Sequence, residues 1–263
     1  MTAVTTRVKV PYGPGESQFG HLYIPTPPEP DVDGILPPVR VVVVVHGGYW
    51  STEFGLMVQT PVAKDLADRG VIVWNVEYRR AGEPGGGWPQ SGYDVTNALL
   101  ALDGPVRDAV PREMLAVVDR DVAVVAHSAG GQLALWSVAR IGARTRFLTI
   151  STVIAQAPAS DLVLVGQRGH ERLATFMGAD YAATPHRYRD ASPAHLEPFP
   201  AHVVVISGDE DVAVPPAFSA AYVDAVSARG QSAELVRVRG EGHEAFLDPT
   251  SRVHRETLRR LGV

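Results

Sequence analysis

Val122-Ala123-Val124-Val125-Ala126-His127-Ser128-Ala129-Gly130-Gly131-Gln132 is the stretch on which the reading of this chain turns. An apolar run stops at a serine with small neighbours, and a helix-forming run, Leu133 to Arg140, follows at once. That order places Ser128 on a sharp turn between a strand and a helix, exposed above the edge of a sheet. The positions two before and two after such a serine lie where strand and helix come closest, so they tolerate little more than a methyl group. Here they are Ala126 and Gly130, where the usual Gly-x-Ser-x-Gly pattern has glycine at both. The first N–H of the new helix, on Ala129, points at the place where a negative oxygen would form beside Ser128. The alternative is a plain helix start without chemistry, and the flanking sequence decides between the two.

Working outward, Val39 to Val45 is an almost unbroken valine run, as a strand covered on both faces requires. It ends in His46-Gly47-Gly48-Tyr49-Trp50, where two glycines let the backbone turn back and present N–H groups at the sheet's carboxyl edge. Thr60 to Arg69 reads as a helix capped by Thr60 and closed by Gly70, and Val71 to Val76 as a second buried strand. Helices are expected from Ser91 to Leu102 and from Val106 to Val117. Upstream, Thr5 to Val10 and Phe19 to Ile24 suit an antiparallel edge around Pro14-Gly15, and Pro25 to Pro38 is a proline-rich loop. Downstream come strands at Phe147–Ala155, Val203–Ser207 and Glu234–Val238, with helices at Ala217–Arg229 and Thr250–Leu261. Strict alternation of this kind predicts a doubly wound, mostly parallel α/β sheet in one domain spanning 1–263. Residues 158–200, with short helical patches and no run able to form its own core, read as a small lid-like insert.

A serine hydroxyl is a poor nucleophile at neutral pH and needs a base, which in turn needs an orienting acid. In an open α/β sheet all three belong on loops at the carboxyl ends of strands. Two later loops carry the right types: Gly208-Asp209-Glu210-Asp211 after one strand, Gly240-Glu241-Gly242-His243 after the next. Asp211 is favoured over Asp209 because it stands further out from its strand, just before Val214-Pro215 leads into a helix. His243 is the base. Glu77, Arg79 and Arg80 suit structural ion pairs, and Asp161 a helix cap. No histidine sits at metal-ligand spacing, so no metal site is expected.

Composition narrows the remaining classes. The chain has 263 residues, 45% of them hydrophobic, which is ample for a large core. A net charge of −5 without a lysine/arginine block argues against a nucleic-acid partner. There is no cysteine, which removes disulfides, thiol nucleophiles and thiolate metal sites. Met1 to Val10 lacks the pattern of a signal peptide, and the Val41–Val45 run is far too short to span a bilayer. A soluble, cytoplasmic protein without membrane attachment is the expectation.

The order serine, aspartate, histidine, together with His46-Gly47-Gly48-Tyr49-Trp50 and Ala126-His127-Ser128-Ala129-Gly130-Gly131, resembles the α/β-hydrolase superfamily over nearly the whole chain. The likeness is greatest to the branch of arylformamidases (kynurenine formamidases) and small-acyl carboxylesterases, marked by a His-Gly-Gly-x-Trp loop. Ala159-Ser160-Asp161-Leu162, Ala191-Ser192-Pro193 and His243 to Pro249 are similar to the same relatives. The resemblance implies Ser128, Asp211 and His243 as the catalytic residues. It implies the backbone N–H groups of Gly48 and Tyr49, together with Ala129, as an oxyanion hole. It further implies a small ester or amide substrate and no cofactor. Trp50 either walls the acyl pocket or packs beneath the loop; Trp88, Phe176, Met177 and Tyr181 either line the leaving-group side or are core. The same residues would also serve an arylformamidase, an acyltransferase, thioesterase or cyclase, or a ligand-binding protein that has kept the scaffold.

Overall fold

The computed structural model describes residues 5–263; the first four residues, part of the Met1–Val10 stretch considered for a leader, lie outside the described residues. Strands β1 (Thr6–Pro11) and β2 (Phe19–Ile24) form a hairpin, followed by β3 (Val39–Val45), α1 (Thr60–Asp68) and β4 (Ile72–Val76). Then come α2 (Gln90–Leu100), α3 (Pro105–Ala109), α4 (Arg112–Leu115), β5 (Val118–His127) and α5 (Ala129–Arg140). β6 (Thr149–Gln156) precedes the short helices α6 (Leu162–Gln167), α7 (Glu171–Met177) and α8 (Pro185–Ala191). The chain closes with β7 (His202–Gly208), α9 (Pro216–Ser227), β8 (Ala233–Val238) and α10 (Arg252–Leu261).

The eight strands form one sheet in the order β1-β2-β4-β3-β5-β6-β7-β8. β1 and β2 pair antiparallel with each other, as β2 does with β4, and every later pairing is parallel. This is the mostly parallel sheet with an antiparallel N-terminal edge that the alternation predicted. Valine suits β3 because the strand is central and covered twice. Val41, Val43 and Val45 enter one core layer, with Trp74, Leu99 and Leu133. Val42 and Val44 enter the other, with Val62, Leu66 and Leu258. The period of two along the strand divides the layers.

Among the boundaries that differ from expectation, three have a local cause. The helix foreseen over Val106–Val117 is two short pieces, because Pro111 has no N–H and holds the preceding Val110 in extended backbone (ψ 132°). Thr60 is the first residue of α1 rather than its cap: the turn Leu56–Gln59 runs straight into the helix. α10 begins at Arg252, where Ser251 accepts a hydrogen bond from the His254 N–H. None of the helices among the described residues is long and apolar enough to cross a membrane.

Candidate active site

Ser128 follows β5 directly and precedes α5, with φ 54° and ψ −119°, a backbone conformation that L-residues avoid. Three hydrogen bonds hold it there. Its N–H donates to the Gln156 carbonyl (2.8 Å) at the end of β6, and its carbonyl accepts from Ala159 (3.1 Å) and Gln132 (3.3 Å). The need for small neighbours is real, but its origin differs from the sequence reading. A Cβ on Gly130 would stand 2.3 Å from the His46 carbonyl oxygen and 2.4 Å from that of Val45, so the crowding comes from the end of β3, not from Ala126. Gly131 is limited instead by Pro158, at 2.8 Å. Ala126 is fully buried.

The loops after β7 and β8 bring the other two side chains to this turn. The Ser128 hydroxyl lies 3.0 Å from His243 Nε2, and His243 Nδ1 lies 2.8 Å from Asp211 Oδ2. The Asp211 side chain is fully buried, and its Oδ1 accepts from the N–H groups of Ala213 (2.9 Å) and Val214 (2.8 Å). An ionised carboxylate held this way fixes the proton on Nδ1 and leaves Nε2 free to accept one. Asp209 has a different place: it is exposed and accepts from the Gly240 N–H at 2.6 Å, tying the two loops together. His127 lies under the His243 ring, 4.5 Å between centroids. Burial first, and the neighbouring His243 second, hold its imidazole neutral far below the ordinary histidine range.

The loop after β3 passes against the serine. A Cβ on Gly47 would be 2.9 Å from the His127 carbonyl oxygen and 3.0 Å from Ser128 Cβ. The next three residues all have positive φ: Gly48 at 118°, Tyr49 at 54° and Trp50 at 56°. A side chain at Gly48 would also meet Phe54 at 2.3 Å. Underneath, His46 is fully buried, with Nδ1 2.7 Å from the Gly47 carbonyl and Nε2 2.8 Å from Glu77 Oε1, its ring stacked on Tyr78 at 4.4 Å. Glu77 Oε2 accepts from the Leu56 N–H at 2.8 Å. Burial alone would raise the Glu77 pKa, but the His46 hydrogen bond and charge, with Arg80 and the Leu56 N–H, bring it below the usual carboxylate range. Arg79 pairs with Asp94 (2.7 Å) and Arg80 with Glu83 (2.6 Å), so these charges brace the loop and do not face the serine.

A cavity of about 330 Å³ opens beside Ser128, lined among others by Tyr49, Trp50, Ala129 and Ser160. Trp50 stands in its wall and is also packed, its N–H donating to Gln132 Oε1 (2.9 Å) and its ring stacked on Phe176 at 4.6 Å. Phe176, Met177, Trp88 and Tyr181 do not line this cavity. Phe176 and Met177 are core behind Trp50, Trp88 packs edge-on against Trp136, and Tyr181 against Tyr188. The lining residues that the sequence reading missed come chiefly from Ala159 to His170 and Val212 to Phe218. Ser160 and Ala159 follow the carboxyl end of β6, and that position was the available signal. Asp161 caps α6 by accepting from the Leu164 N–H at 3.0 Å.

A family model described as the prolyl oligopeptidase family matches residues 60–261. No curated protein matches the chain. Among solved structures, a truncated carbohydrate esterase from gut microbiota aligns with TM-score 0.75 at 17% identity over 100% of this chain and 95% of its own. Inhibited esterase B from Lactobacillus rhamnosis gives 0.75 at 17% over 98% and 86%. A bifunctional GH43-CE protein from Bacteroides eggerthii gives 0.74 at 19% over 97% of this chain, which spans only 38% of the length of that protein. What is shared at these identities is the α/β-hydrolase fold.

Proposed function

The chain belongs to the prolyl oligopeptidase family, and from that premise we propose that it is a metal-independent serine hydrolase cleaving a small ester or amide through an acyl-enzyme. One observation carries the proposal: a single imidazole stands between the hydroxyl of a serine on a positive-φ turn (3.0 Å) and a buried carboxylate (2.8 Å). Ser128 Oγ attacks the carbonyl carbon while His243 Nε2 takes its proton, and Asp211 holds the other ring proton on Nδ1 and balances the imidazolium charge. The oxyanion meets N–H groups of Ala129, at the first turn of α5, and of Gly48 and Tyr49. Each such donor typically contributes about 3 kcal/mol in the transition state. His243 then gives its proton to the leaving oxygen or nitrogen. Water, deprotonated by the same ring, releases the acyl group and restores Ser128.

Segment 158–200 acts in this reading as an insert that supplies one wall of the cavity through Ala159, Leu162 and Val165. Trp50, fixed by Gln132 and Phe176, is a rigid wall and favours short acyl groups. The narrowest version of that reading is an arylformamidase, restricted to a formyl group. Labelling by a fluorophosphonate, lost in Ser128→Ala, tests the mechanism. Hydrolysis of formyl, acetyl, butyryl and octanoyl esters of one phenol, beside the corresponding anilides, then separates a formamidase from a small-acyl esterase. A chain that neither labels nor turns over any of these substrates would refute the proposal.

A further inference from the structure

The wall of the cavity beside Ser128 has an unusual balance of charge. Of its fifteen lining residues none is Asp or Glu and one, Arg168, is a cation, in a chain whose net charge is −5. Arg168 stands just past α6 and places its guanidinium 5.3 Å from the centre of the Phe218 ring on α9, across the cavity mouth. Among the described residues it makes no ion pair. Arg172, four residues on, is paired with Glu53 at 3.1 Å. A cation seated on a ring face keeps its hydrogen-bonding edge free.

Two further donors lie in the same wall. His170 Nδ1 accepts from the Leu173 N–H at 3.2 Å, so this ring nitrogen carries no proton and Nε2 is the donor. Its ring lies beside Tyr49, 6.4 Å between centroids and 15° from parallel. Ser160 is 1% exposed, and its hydroxyl has no protein partner although it is buried. A buried hydroxyl in a cavity wall without a partner is a group that a ligand can satisfy. Between these donors the wall is apolar, with Leu162, Val165, Val214 and Phe218.

We propose that the substrate of this site carries a carboxylate, held by Arg168 with His170 beside it, while its apolar body lies against Leu162, Val165 and Phe218. The proposal rests on the hydrolase reading of the same site. One guanidinium and one imidazole N–H match a monoanion; a phosphate dianion calls for a second fixed positive charge beside Arg168, which the wall does not have. The planar fork of arginine fits a carboxylate through two parallel hydrogen bonds. Asp211, the nearest catalytic carboxylate, is already engaged by His243 and two backbone N–H groups, so it leaves little uncompensated charge to repel the substrate.

Matched substrate pairs test this. (4-Acetoxyphenyl)acetate against its methyl ester puts the charge on the leaving side; mono-4-nitrophenyl glutarate against its methyl ester puts it on the acyl side. The expected result is a preference of about tenfold in kcat/KM for the anionic member of one pair, expressed through KM. The preference should shrink in about 0.5 M NaCl, fall toward unity in Arg168→Met and persist in part in Arg168→Lys. Equal or better hydrolysis of the neutral member in both pairs overturns the proposal, as does a preference that survives Arg168→Met. Calorimetric binding of the same four compounds to Ser128→Ala reads the preference without turnover. Tighter binding of an anion, with no hydrolysis of any compound by the wild type, would sink the hydrolase reading and leave the carboxylate site standing. Hydrolysis of the neutral esters with no anion preference in either assay would sink the carboxylate site alone.

Discussion

Trp50→Ala separates two roles that the structure gives to one ring. Trp50 is 4% exposed, stacks on Phe176 and donates to Gln132 Oε1 at 2.9 Å. Removing a buried aromatic side chain costs about 3–5 kcal/mol. The variant also strips the donor from Gln132, whose amide nitrogen stays committed to the Ala191 carbonyl at 2.8 Å, a further cost of about 1 kcal/mol or more. The positive φ at this position is equally unfavourable for alanine, so backbone strain drops out of the difference. A total near 4–6 kcal/mol corresponds to a melting temperature lower by about 8–24 °C in a chain of this size. Trp50→Phe keeps a ring on Phe176 and loses the N–H with part of the indole, so it should cost less than the alanine change but more than about 1 kcal/mol. Melting curves give the stability, and hydrolysis of 4-nitrophenyl acetate through octanoate gives the acyl profile. Because the same ring lines the cavity, the alanine variant should also shift the profile toward longer chains. A fall in melting temperature below about 3 °C would refute the packing argument. A large fall with an unchanged profile would refute the wall.

Ser128→Ala and His243→Ala should each remove most of the turnover, and the double variant should be little worse, because the two act as one unit; additive losses in kcat would contradict this. Asp211→Asn should lower kcat by several orders of magnitude through the wrong imidazole tautomer, about 10⁴-fold in the best-studied case. Asp209→Asn keeps an amide oxygen that can accept from the Gly240 N–H and loses the charge on that bond, so it should cost about 1 kcal/mol or less in urea denaturation; the reverse ranking in kcat would exchange their roles. Glu77 has a lowered pKa in the fold, so its contribution to stability is full above the unfolded value near 4.5 and is lost as pH falls below it toward the folded value. Glu77→Gln should therefore be less stable at neutral pH and show a shallower loss of stability as pH falls below about 4.5, and parallel curves for the two proteins would remove Glu77 from that loss.

The sheet was legible because valine runs and helix-forming runs alternate, and both the central β3 and the antiparallel edge follow from that pattern. The positions of Ser128, Asp211 and His243 were legible too, because strand ends place loops, and the types on those loops were distinctive. Wherever contacts between distant segments decide, the reading ran out. Gly130 answers to carbonyls at the end of β3, which local sequence around the serine cannot reveal. Whether Phe176 and Met177 line the pocket or pack in the core stayed open, because an apolar side chain in an irregular segment gives no sign of its direction; both face the core. Arg168 and Ser160 were passed over for the converse reason: segment 158–200 has no periodicity that assigns a face.

Five described non-glycine residues have positive φ: Tyr49, Trp50, Ser128, Ala143 and Ala157. All except Ala143 cluster about the turn that carries the serine. Each such residue lowers native stability by about 1–2 kcal/mol relative to a relaxed backbone, in a protein class whose whole margin is about 5–15 kcal/mol. A thermostability screen that ignored turnover would thus be drawn to Tyr49, Ser128 and Ala157, where glycine relieves strain, and not to Trp50, whose packing outweighs it. Variants selected that way would melt higher and lose the fixed aim of the hydroxyl and loop N–H groups, so heat resistance and activity would diverge within a few residues of Ser128. Improvement without that conflict lies elsewhere in the chain, in the largely exposed loop of residues 26–38 and the surfaces of α3 and α4.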